Sequence, residues 1–90
     1  MGTTITDHTA EAKKRSYRNR LKAGDRVEFL TGVVRSTGRA RRGDTGTVIS
    51  EYNSGFRGIE ASIRLDGNGT PLSEGPLLSQ VSTGLLRKLP

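Results

Sequence analysis

The densest chemistry in this chain is cationic. Positions 35–43 read Arg35-Ser36-Thr37-Gly38-Arg39-Ala40-Arg41-Arg42-Gly43, four guanidiniums on a backbone loosened by two glycines. A guanidinium fork meets phosphate oxygens two at a time, so a loop of this kind can follow a phosphate chain. A second basic run lies upstream: Lys13, Lys14, Arg15, Arg18, Arg20 and Lys22, with Tyr17 among them. Tyr17 can stack on a base or pack on the domain, and packing is the expectation. With Arg35, Arg39, Arg41 and Arg42, these residues form the candidate nucleic-acid-binding set.

Other spacings come near a chemistry and miss it. Gly38 to Thr45 spells G-x-x-x-x-G-D-T, but Asp44 stands where a phosphate-binding loop needs Lys. Asp66-Gly67-Asn68-Gly69 opens like a calcium loop, yet Pro71 and Leu77 occupy the places of the required Gly and Glu. Arg42-Gly43-Asp44 is the tripeptide of adhesion ligands, and a turn already accounts for its Asp. His8 is the only histidine and there is no cysteine, so a Ser-His-Asp set and a Cys-based metal site are both excluded. The expectation is a protein that is not an enzyme and carries no cofactor or metal.

The elements that must hold the cations have little to work with. Ninety residues, 31% of them hydrophobic, support one small core. No apolar run reaches ten residues, so no membrane span or signal segment is expected, and the chain reads as soluble and cytoplasmic. The net charge of +6 is unevenly spread: +4 over residues 1–22, +2 over 23–50 and zero over 51–90. A charge serving only solubility has no reason to segregate, so the asymmetry points to a polyanion.

Residues 1–8 read as a tail. A helix is expected over about 9–22, capped by Thr9 or Asp7, with Glu11 in its first turn and Gly24 as the breaker. Its only apolar stripe is Tyr17 and Leu21, so it should lie lightly on the domain or order on a partner. After Gly24 the period becomes two. Val27 and Phe29 mark a strand, the Gly- and Arg-rich stretch 31–44 reads as a loop or a ragged hairpin arm into which Val33 and Val34 extend strand character, and Gly46 to Tyr52 forms the next strand. Ile59, Ala61, Ile63 and Leu65 alternate with Glu60, Ser62, Arg64 and Asp66, which puts the second set toward solvent. Leu77 to Val81 and Gly84 to Leu89 complete five short strands, a count that favours a small closed barrel over 23–90.

Two segments, Ala23-Gly24-Asp25-Arg26-Val27-Glu28-Phe29 and Gly43-Asp44-Thr45-Gly46-Thr47-Val48-Ile49, resemble a KOW-type motif in an SH3-like barrel. Gly24, Asp25, Gly43, Asp44 and Gly46 would be its structural turn residues. Ile63 to Gly67, with Val81 and Leu85 to Leu89, resemble the later strands of such a barrel. The resemblance implies a mainly β fold, a five-stranded SH3-like barrel with a basic N-terminal helix or arm. It also implies a nucleic-acid-associated module, binding DNA or RNA and acting with RNA polymerase or the ribosome. Type II dihydrofolate reductase shares this size and barrel, but its pore-lining Val-Gln-Ile-Tyr segment is missing here. An SH3-like module that binds an acidic protein surface is the alternative, and no membrane partner is expected.

Overall fold

Period-two alternation decides the centre of the molecule. The protein is described by a computed structural model over residues 10–67 and 75–90. A helix, α1 (Ala10–Ser16), precedes β1 (Arg26–Phe29), β2 (Val33–Arg35), β3 (Gly38–Ala40), β4 (Thr45–Asn53) and β5 (Ile59–Leu65). Then come β6 (Leu77–Ser82), a 3₁₀ turn (Thr83–Leu85) and β7 (Leu86–Lys88). In β5 the residues Ile59, Ala61, Ile63 and Leu65 are all buried, as their alternation requires. Ala61, Ile63 and Leu65 pack with Val27, Phe29, Val48, Leu78, Val81 and Leu85 in a single core. The tail, its capping residues Asp7 and Thr9, His8, and the turn residues Asn68 and Gly69 lie outside the described residues.

The sheet is antiparallel, in the order β6-β5-β4-β1-β7, and β2 and β3 form a separate hairpin. Among the described residues no ladder joins β6 to β7, so the closed barrel expected from the strand count is an open sheet. The cause is local. The 3₁₀ turn carries the chain from one edge strand to the other; two of its carbonyls accept from side chains of the N-terminal segment, and the third, Leu85 O, accepts from Leu30 N at 2.8 Å. Arg15 Nε donates to Gly84 O at 3.2 Å, and Asn19 Nδ2 donates to Thr83 O at 2.6 Å. The strand expected over 84–89 is shortened to Leu86–Lys88 for the same reason.

Two near-identical turns feed β1 and β4. Gly24 and Gly43 share φ +94°, a left-handed conformation that favours glycine. Asp25 Oδ2 accepts from Lys22 N at 2.9 Å, and Asp44 Oδ2 accepts from Arg41 N at 2.8 Å. Gly46, expected with these turns, instead lies inside β4 between Val27 and Leu65. A Cβ there would stand 2.7 Å from Arg64 O and 2.8 Å from Ile63 Cγ2, so it is strand crowding that requires glycine.

Asp66 ties three segments of the sheet together. Arg26 donates to its two carboxylate oxygens at 2.7 and 2.5 Å, and Thr45 Oγ1 donates to Oδ2 at 2.5 Å. These bonds, the one from Arg26 foremost, hold the carboxyl below the usual carboxylate range against the opposing effect of burial. A depressed carboxyl stabilises the fold above its unfolded pKa and loses that contribution as pH falls through the folded value. Asp66→Asn is therefore expected to cost about 2 kcal/mol at pH 7. The difference from the parent should shrink in urea melts below about pH 4, where the unfolded carboxyl takes up its proton.

Candidate functional site

Small residues, not an apolar stripe, seat α1. Ala12 and Ser16 are its buried positions. Gly58 and Gly84 face them so closely that a Cβ on Gly58 would lie 2.5 Å from Ser16 Oγ, and one on Gly84 would lie 3.0 Å from Ser16 N. Polar bonds complete the seat: Ile59 N donates to Ser16 Oγ at 3.0 Å, and Thr83 Oγ1 donates to Ser16 O at 3.1 Å.

The helix ends at Ser16, six residues before the expected boundary. Ser16 Oγ donates back to Lys13 O at 2.6 Å, a local bond that competes with helix continuation. Arg18 N and Asn19 N then bond three residues back, tightening the last turn. Beyond it Glu51 holds the chain on β4: it accepts from Arg20 Nη2 at 2.8 Å and also from Leu21 N. Leu21 is buried, whereas Tyr17, expected to pack, is 48% exposed.

This routing builds a groove of about 670 Å³ between the N-terminal segment and β7. Arg15 and Arg18 line one side, Arg87 and Lys88 the other, and Leu30 and Leu86 lie among them. Arg87 donates to Glu28 Oε1, its cross-strand neighbour, at 2.9 Å through Nε, and Lys88 Nζ lies 3.8 Å from Asp25. Two of the four cations thus have carboxylate neighbours, and a surplus of two remains. Both pairs are exposed on their cationic side, where such bridges contribute about 0–1 kcal/mol and open readily.

The remaining candidates are distributed unequally. Arg39, Arg41 and Arg42 are exposed on β3 and the turn after it. That turn bonds to Phe29, with Gly43 N on Phe29 O and Phe29 N on Asp44 O, both at 2.8 Å. Phe29 also pairs with Leu86. The hairpin base and the groove therefore flank the end of β1, about 10 Å apart across two strand spacings. Lys14 and Lys22 are exposed and Lys13 half-buried, elsewhere on the surface. Arg20 is engaged by Glu51.

Arg35 is engaged as well. The segment 35–42, expected as a loop or a ragged hairpin arm, is largely the β2–β3 hairpin, and it lies along the free edge of β6. Arg35 donates to Ser79 O at 2.9 Å and to Gln80 O at 2.8 Å, while Thr37 Oγ1 donates to Leu77 O at 2.6 Å. Gln80 sits in a bulge with φ +57°. Its N–H donates to the Tyr52 hydroxyl, which in turn donates to Glu60. Burial, then the Glu60 charge, pushes the Tyr52 hydroxyl above its ordinary pKa.

Sequence reasoning missed Asn19, Leu30, Leu86, Arg87 and Lys88. The last two sit in the charge-neutral half of the chain, and only the β1–β7 pairing brings them to the N-terminal segment. No family model, characterised protein or solved structure matches this chain.

Proposed function

We propose that the protein is a non-enzymatic nucleic-acid-binding adaptor on an SH3-like framework, acting with transcription or translation machinery. The five-stranded antiparallel sheet, its paired Gly-Asp turns and the 3₁₀ turn between its edge strands support the framework. One observation carries the binding: cations from both ends of the chain, Arg15 and Arg18 with Arg87 and Lys88, converge on one groove. The hairpin arginines extend the positive surface past the end of β1, which suits a chain of phosphates better than a single anion.

Salt dependence tests this. If six to eight phosphates are engaged, log K should fall against log salt with a slope of about −5 to −7 on duplex DNA and −4 to −6 on single strands. Arg18 has no side-chain partner among the described residues, so Arg18→Ala should leave the fold intact and reduce the slope by about one. Absent binding at low salt, or binding indifferent to salt, would sink the proposal. The reading as a module for an acidic protein surface draws on Val34 and Phe56, 73% and 88% exposed. A protein partner that survives excess nucleic acid would favour it.

A further inference from the structure

The groove contains a group that phosphate has no use for. Asn19 donates its Nδ2 to two carbonyls, Thr83 O at 2.6 Å and Leu86 O at 2.7 Å. Both partners are acceptors, so the amide nitrogen must face them. That leaves Oδ1 as the group Asn19 offers, and among the described residues no donor meets it. A fixed acceptor set among cations is repulsive to a phosphate oxygen, but it suits a neutral N–H donor. The surroundings fit the same occupant. Leu30, half-buried, adds apolar surface to the groove, and the volume of about 670 Å³ leaves room for a base.

We propose that this groove takes one unstacked nucleotide of a single strand. The base lies on Leu30 and gives an N–H of its Watson–Crick edge to Asn19 Oδ1. The flanking phosphates lie on Arg15 and Arg18 on one side and on Arg87 and Lys88 on the other. A duplex keeps its bases stacked and presents its backbone outward, so it uses the cations and leaves the acceptor and Leu30 idle. The inference rests on the phosphate-binding reading and adds to it a strand preference, without a choice between RNA and DNA. Every base carries an N–H on that edge, so little discrimination among bases is expected.

The test changes the ligand and leaves the protein intact. Fluorescence anisotropy is measured on the full chain with four probes of equal phosphate count: single-stranded RNA, single-stranded DNA, the same DNA with abasic sites throughout, and duplex DNA. Base packing contributes about 1–3 kcal/mol per base on aromatic platforms, and a single leucine should give the lower end. The intact single strands should therefore bind about 5- to 10-fold tighter than the abasic strand. The duplex should bind no better than the abasic strand once salt slopes are matched. Equal affinity for intact and abasic strands would overturn the nucleotide site and leave the phosphate reading standing. Failure of all four probes at low salt would remove both. Leu30→Ser supplies a protein-side check: it should narrow the intact-to-abasic ratio toward one while weakening abasic binding less than twofold, and an unchanged ratio would count against the site.

Discussion

Gly84→Ala is expected to destabilise the protein by about 2–3 kcal/mol, an overpacking cost incurred by a single methyl group. For a domain of this size that lowers Tm by roughly 10–20 °C. The added Cβ would fall on Ala12 O, 2.9 Å from Arg15 Cβ and 3.0 Å from Ser16 N. None of these is the free end of a flexible side chain, so α1 must move as a body. Gly58→Ala should act in the same direction through an independent contact, on Ser16 Oγ, with the added strain of φ +86°. The groove should be lost with the seat, because Arg15, Arg18 and Asn19 all follow from where α1 is held. Gly32→Ala is the control, since its Cβ would meet only Ala40 O at 3.6 Å. A Gly84→Ala protein that melts within about 2 °C of the parent would show that α1 is not seated this way.

That seat explains why parts of the molecule were legible and others were not. Ile59 to Leu65 could be read directly, because alternation against a one-sided core leaves an unmistakable period of two. The turns at Gly24-Asp25 and Gly43-Asp44 were legible for a similar reason: a left-handed glycine followed by an Asp that bonds three residues back is local chemistry. The docking of α1 has no local signature. Its determinants are a lack of side-chain volume at Ala12, Gly58 and Gly84, spread over 72 positions of sequence. A search for apolar stripes finds Tyr17 and Leu21 and extends the helix too far.

Charge behaved likewise. Its position along the chain singles out Arg15 and Arg18, which line the groove, and Arg41 and Arg42, which are exposed, but side-chain commitment is a property of space. Arg20 and Arg35 had the right type and belong to internal bonds. Arg87 and Lys88 belong to the half whose net charge is zero, yet antiparallel pairing beside β1 brings them into the groove. Most of the sheet was thus readable, but only half of the groove's cationic lining.

Glu60 is the residue whose alternation misled most, and it gives the second large effect. It belongs to the set expected toward solvent, yet it is fully buried. Arg57 donates to Glu60 through Nε at 2.9 Å and Nη2 at 3.3 Å, and the Tyr52 hydroxyl donates as well. Arg57→Ala removes the cation and leaves the carboxylate in the interior. Removing one partner of a buried pair costs about 3–5 kcal/mol, and the partial exposure of Arg57, with the bonds that Glu60 keeps, points to the lower end. The same reasoning makes the loss conditional. In a Glu60→Gln background the stranded charge is gone, so Arg57→Ala should cost less than about 1 kcal/mol, and urea melts of the four proteins close the cycle. Equal costs in both backgrounds would refute the coupling. A hydrogen-exchange measurement carries the effect further. Glu60 holds Tyr52, Tyr52 holds the Gln80 bulge, and that bulge receives Arg35 from β2. Amide protection in the β2–β3 hairpin should therefore fall in Arg57→Ala and return in the double variant. The hairpin carries Arg39 and leads into Arg41 and Arg42, so a buried carboxylate far from any phosphate would set where those cations stand.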